Sequence, residues 1–195
     1  MCPKSKAGTL FFIGTVQFLI LMIVAETQYP GYSPADNYIS DLGLWQYDSA
    51  YIFNPSVFMF GFLGAIGSYM LLRCTDWKWL SILLILSSIG AMGVGVFNED
   101  VDGLHFIVSA MAFGFGALAA ISSYWYLPSK IGVIVAVLGA IALIAMILYG
   151  TDTFLGLGHG GMERMILYPI LGWLLLFNGY LIGEEEKADE NQKTV

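Results

Sequence analysis

The chain has 195 residues, of which 57% are hydrophobic and only 12% charged, with a mean hydropathy of +0.73. A water-soluble domain of this length could not cover that much apolar surface, so the composition excludes one and points to an all-α integral membrane protein. The net charge of −7 is not accompanied by any basic patch, and nucleic acid is not expected as a partner.

A membrane span needs about 20 mostly apolar residues, and six runs qualify: Gly8 to Glu26, Tyr51 to Leu72, Trp77 to Phe97, Leu104 to Leu127, Ile131 to Gly150, and Met165 to Ile182. The first is long and uninterrupted and lacks a small-x-small cleavage site, so it reads as a retained helix rather than a signal peptide. Residues 1–183 are thus expected to form one six-transmembrane-helix bundle, and 184–195 an acidic, disordered cytoplasmic tail. Small residues recur at packing spacings: Gly61, Gly64 and Ala65, then Gly90, Ala91, Gly93 and Gly95, then Gly132, Ala136 and Ala140. Helices in lipid approach closely through such faces. The fifth run has no charge and almost no polar atom, as expected of a lipid-facing support.

Positive charge sets the orientation. Lys4, Lys6, Arg73, Lys78, Lys130, Lys187 and Lys193, seven of the eight cations, fall on one side of six crossings, so both termini are expected to be cytoplasmic in a multi-pass protein of the cell membrane. The other side carries Glu26, Asp36, Asp41, Asp48, Glu99, Asp100, Asp102, Asp152, Glu163, both histidines and the lone cation Arg164. Aromatic rows agree, with Trp77, Trp79, Trp125 and Tyr126 at the inner boundary and Tyr29, Tyr32, Tyr47, Tyr51 and Tyr149 at the outer one. Cys2 and Cys74 both fall on the cytoplasmic side, where no disulfide is expected.

The first outer stretch, Tyr29 to Gly43 (YPGYSPADNYISDLG), is polar and turn-rich between two apolar runs. Ser33, Pro34 and Asp36 supply a cap, a proline at the first turn and an early acid, which predicts a short interfacial helix closed by a left-handed Gly43. On that helix Asn37, Ser40 and Asp41 share one face. The reading in which this helix only plugs a loop stands beside the functional one. Two more polar clusters, Asn98 to His105 and His159 to Arg164, sit at helix ends on the same side.

The segments NYISDLGLWQYDSAYIFN, GVFNEDVDGLHFIVSAMAF and GHGGMERMILYPILGW together resemble the six-helix Frag/DRAM/Sfk membrane proteins, and more closely their prokaryotic relatives of unknown function. The resemblance rests on Ile39 to Gly43 (ISDLG), on Glu99 and Asp100 before His105, and on the Glu163–Arg164 pair. It covers nearly the whole chain. What it implies is a fold, with lipid remodelling, autophagy and membrane lipid organisation connected to the eukaryotic members. The three-histidine set of ceramidase-like hydrolases is missing, since His105 and His159 are the only histidines.

Three functional classes stay open: a membrane enzyme acting on lipid, such as a hydrolase or acyltransferase; a non-catalytic lipid-binding or scaffold protein; and a transporter, which would normally carry ionisable groups deeper in its spans. For the enzyme, His105 is the expected proton-transfer residue, since histidine exchanges protons near neutral pH. Asp41, Glu99 and Asp100 would orient or balance it, while Asn37, Ser40, His159, Glu163 and Arg164 would bind substrate, a membrane lipid. The expected cavity is polar above and apolar below, from Phe58, Phe106, Ser109 and Phe113. Arg164 is expected to pair with Asp41 first and Glu99 second, with a lipid phosphate or carboxylate as the functional alternative. Neither HxxxH nor HExxH spacing occurs, and a mixed metal site of His105, His159 and an acid such as Asp41 or Glu99 is left open. No cofactor is identified.

Overall fold

The computed structural model describes residues 4–193, with side chains for 4–101 and 103–184. Cys2 lies outside the described residues, and Cys74 is a half-buried free thiol. Six helices carry the fold: α1 (Lys4–Thr27), α2 (Ala50–Cys74), α3 (Lys78–Val96), α4 (Asp102–Ser122), α5 (Ser129–Gly150) and α6 (Gly158–Lys193). Each contains a stretch long and apolar enough to cross a membrane, so the protein is a multi-pass membrane bundle.

Each helix packs on the next, and α6 returns to α1 to close a ring. Contacts between α4 and α6 leave α5 in the groove on their outer side. There Val133, Ile134, Val137, Ile144 and Ile147 remain exposed, which suits a face turned to lipid. Glycines set the closest approaches. A methyl group at Gly61 would lie 2.6 Å from the Ser88 carbonyl oxygen across the α2–α3 contact, and one at Gly139 would lie 2.7 Å from the Ala117 carbonyl oxygen across α4–α5. On α5 the buried stripe is Gly132, Val135, Gly139, Ala142 and Ala145, so Ala136 and Ala140 of the expected face are only partly covered.

The two ends of the bundle differ as the charge pattern requires. At one end Lys4 pairs with Glu184 at 2.9 Å and sits 4.8 Å above the Trp77 ring, which itself packs on Tyr126. At the other, Tyr29 packs on Tyr32 and Tyr47 within the segment that joins α1 to α2. We call this the capped end.

Two expectations are corrected at the capped end. The segment after Ser33 is not a continuous helix but a turn over residues 34–37 followed by a 3₁₀ turn, Ser40–Gly43. Side chains and α6 take the N–H groups that a helix would have used. Asp41 accepts from the Tyr38 N–H at 2.9 Å, Asn37 Oδ1 accepts from the Ser33 N–H at 3.0 Å, and the Ile39 N–H goes to Glu163 of α6. Asn and Asp offer the backbone such alternatives to helix. Gly43 does not adopt a left-handed conformation. It is needed for close approach, because a Cβ there would meet the Asn54 side chain, whose amide donates to the Gly43 carbonyl at 3.0 Å.

The last helix begins at Gly158, seven residues before the apolar run that predicted it. Apolar periodicity stops at Met165 because Glu163 and Arg164 are charged, yet both are buried on the first turns. The glycines that open this helix are a contact surface: Gly158 (φ 76°) lies against Ala35, and Gly160 donates its N–H to the Ala35 carbonyl at 3.0 Å. The backbone of α6 is helical through Lys193, where the sequence suggested a disordered tail from 184; the side chains of 185–195 lie outside the described residues.

Candidate functional site

Adjacent and oppositely charged, Glu163 and Arg164 serve opposite halves of the same loop backbone. Glu163 takes the Ile39 N–H. Arg164 Nη1 donates to the carbonyls of Pro34 (2.9 Å), Asn37 (3.3 Å) and Gly160 (3.1 Å), and Nη2 donates to Glu26 (2.8 Å) and the Tyr32 hydroxyl (2.7 Å). Tyr32 passes the connection on, donating to the Tyr38 carbonyl at 3.0 Å. Arg164 is therefore paired, as a buried guanidinium must be. Its carboxylate is Glu26 at the end of α1, not Asp41 or Glu99. Those two acids are engaged with the loop itself.

Asp41 accepts from Tyr38 N and from Asn37 Nδ2 (3.1 Å) and touches Glu99, whose other partner is the Ser40 hydroxyl. Burial, opposed by the Ser40 hydrogen bond and reinforced by Asp41, pushes the Glu99 carboxyl up to about 8. Glu99 is thus mostly a neutral donor at pH 7. Asp100 faces away, accepting from Asn98 Nδ2 at 2.9 Å, and the same amide ties to the Gly43 carbonyl at 2.8 Å.

His105 lies on the first turn of α4. Its Nδ1 is 2.8 Å from the Phe97 carbonyl oxygen and its Nε2 is 3.2 Å from Ser109 Oγ. A carbonyl only accepts, so Nδ1 carries the hydrogen, and in the neutral ring Nε2 is left as the acceptor facing Ser109. His159 is an exposed residue on the first turn of α6. It packs on Phe154 (4.3 Å) and its Nδ1 is 3.3 Å from the Tyr38 hydroxyl.

Two adjoining cavities lie beneath this cap. The larger, about 480 Å³, opens between α4, α5 and α6. Its roof is Tyr38, Ser40, Glu99, His105, Tyr149 and Glu163, and its apolar wall includes Phe106, Phe113, Met146 and Ile166. Phe106, 71% exposed, stands at its edge. The smaller, about 80 Å³, lies in the centre of the ring among α1, α2, α3, α4 and α6. Ser40, Ser109, Phe113 and Glu163 line both.

Of the nine residues singled out by sequence, the structure brings Ser40, Glu99, His105 and Glu163 to the larger cavity. Asn37, Asp41, Asp100, His159 and Arg164 support its cap without lining it. Phe58 does not line it either; it stacks on Phe62 of its own helix. No described His, Cys, Asp or Glu side chains cluster in threes that could hold a metal ion. Sequence reading placed Ser109 on the cavity wall but missed its pairing with His105, and it missed Glu26 and Tyr32 as contributors. Ser109 falls at i+4 from His105 and so shares its helix face, a signal that was available. Glu26 and Tyr32 are assigned only by the third dimension.

Neither the curated proteins nor the solved structures contain a match to this chain. Residues 12–178 match the family described as "Protein of unknown function (DUF998)", so the chain is a six-helix integral membrane member of that family.

Proposed function

We propose that the larger cavity takes up a membrane lipid from the outer leaflet, headgroup under the cap and acyl chain down the wall between α4 and α5. The observation that carries this reading is the division of the cavity. Hydroxyl and carboxyl groups of Tyr38, Ser40, Glu99 and Tyr149 gather at the capped end, above Phe106, Phe113, Met146 and Ile166. The charge distribution supports the outer side, since the capped end holds the acid-rich loops. The resemblance to Frag/DRAM/Sfk proteins, connected with lipid remodelling, points the same way.

The roof also favours one kind of headgroup. Among the described residues no Lys or Arg lines the cavity, and Arg164, the cation of the cap above it, already serves five acceptors. A phosphate would meet the Glu163 carboxylate with no cationic partner to balance it, whereas an uncharged, hydroxyl-bearing headgroup would find donors and acceptors. The reading makes no use of the alternative role of Arg164 as a ligand for a lipid phosphate or carboxylate.

The test uses protein purified in detergent and a diacylglycerol carrying a fluorescent acyl chain. Saturable binding is expected, with competition by unlabelled diacylglycerol and little by phosphatidylglycerol. Ala110→Trp, which fills the cavity from α4, should weaken binding at least about tenfold while leaving the melting temperature within a few degrees. Equal binding by this variant would move the site elsewhere. Absence of saturable lipid binding by the parent protein would leave the cap as a structural latch.

A further inference from the structure

Ser109 and His105 form a pair that lipid binding does not require. His105 Nδ1–H is anchored to the Phe97 carbonyl at 2.8 Å, which fixes the ring and leaves the Nε2 lone pair 3.2 Å from Ser109 Oγ. A base oriented by a third group and directed at a hydroxyl is the arrangement that activates a serine nucleophile. Here a backbone carbonyl holds the ring in place of a carboxylate. Both residues line the larger cavity, and Ser109 stands where it meets the smaller one. A serine in a transmembrane helix commonly bonds a carbonyl of its own preceding turn, as Ser68 and Ser123 do here. The hydrogen bond found for the Ser109 hydroxyl is to the imidazole instead.

We propose that Ser109 is the nucleophile, and His105 the general base, of an acyl transfer from a fatty-acyl ester of an uncharged membrane lipid. The proposal rests on the lipid reading of the same cavity. In the first half-reaction the Ser109 Oγ–H proton passes to His105 Nε2 as Oγ forms a bond to the acyl carbonyl carbon. The tetrahedral adduct collapses by breaking the ester C–O bond, and the leaving alkoxide takes the proton from Nε2. The lipid alcohol departs and the acyl group remains on Ser109. In the second half, water or an acceptor alcohol gives its proton to Nε2 and attacks the acyl carbon; Ser109 Oγ leaves and recovers that proton. Fatty acid or a new ester is released, and no oxidant or reductant enters the cycle. Two groups on the roof are placed to meet developing negative charge on the carbonyl oxygen: the Tyr149 hydroxyl and Glu99, which burial keeps protonated near neutral pH.

The test measures chemistry and binding separately. Purified protein is treated with a dodecyl fluorophosphonate and mapped by peptide mass spectrometry. In parallel, phosphatidylcholine vesicles containing dioleoylglycerol and the reconstituted protein are assayed for released oleate. Adduct on Ser109 and oleate release are expected from the parent. Ser109→Ala should abolish both while still binding fluorescent diacylglycerol saturably. His105→Gln, whose amide can still donate to the Phe97 carbonyl, should slow labelling at least about 100-fold without lowering the melting temperature. If the parent binds diacylglycerol but gives neither adduct nor oleate, the acyl-transfer proposal fails and lipid binding survives. An adduct elsewhere than Ser109, or labelling of His105→Gln at the parental rate, also overturns it. If the parent does not bind the lipid, both readings fall.

Discussion

Replacing Arg164 with lysine keeps the charge and removes the fork. The guanidinium serves five acceptors, three of them in the segment that caps the cavity or tied to it, and the side chain is 9% exposed. A lysine ammonium has three donors radiating from one atom, so at least two acceptors lose their partner. Glu26 would keep the ammonium, being the charged one. The Pro34 and Asn37 carbonyls, or the Tyr32 hydroxyl, would then be stranded. Two lost hydrogen bonds at about 1 kcal/mol each, plus part of the cost of leaving a buried acceptor unpaired, give a destabilisation of about 2–3 kcal/mol. For a chain of this size that corresponds to a fall in melting temperature of roughly 5–10 °C. Thermal unfolding in detergent measures the fall, and hydrogen exchange at residues 33–43 locates it. A lysine variant that melts with the parent and protects the loop equally would refute the argument that the planar fork holds the cap.

Glu99 supplies a pH test. Its folded pKa is about 8, above the ordinary carboxyl value, so the folded state holds a proton that the unfolded chain has released. The stabilisation is fully present below the unfolded pKa near 4.5 and is lost as pH rises through about 8. Melting temperature should therefore fall over that interval in the parent and fall less in Glu99→Gln, with Asp41, Ser40 and Glu163 unchanged around it; identical slopes would remove Glu99 as the cause. Gly160→Ala should destabilise by about 1–3 kcal/mol or more in detergent melts, since its methyl would collide with the Asn37 carbonyl, while Gly179→Ala, with nothing within 4 Å, should be neutral or stabilising. In intact cells, with the native cysteines replaced, an impermeant thiol reagent should reach a cysteine at exposed Asp36 and miss one at exposed Ser129; the reverse pattern would invert the orientation.

The spans were legible because lipid imposes a requirement that any 20-residue window reveals: apolar side chains with their backbone satisfied inside one helix. The same one-dimensional property separated the two ends of the bundle, placing Lys4 far from Glu26 and Arg164 before any contact was known. It also brought His105, Glu99, Ser40 and Glu163 to one end, where four of the nine candidate residues share a cavity. Partner choice was not legible. Glu26, Asp41 and Glu99 are equivalent carboxylates to a sequence reading, and Arg164 selects Glu26 only because the ring closes α6 onto α1. The segment after Ser33 carried local helix signals, but Glu163, more than 120 positions away, competes for the Ile39 N–H, so a tertiary hydrogen bond decides against the helix. The contact role of the glycines at 158 and 160 was not legible either, because a backbone's nearest neighbour across a fold is invisible along the chain. Sequence determined what had to be buried in lipid and which end had to be polar; only the tertiary structure decided which polar groups meet.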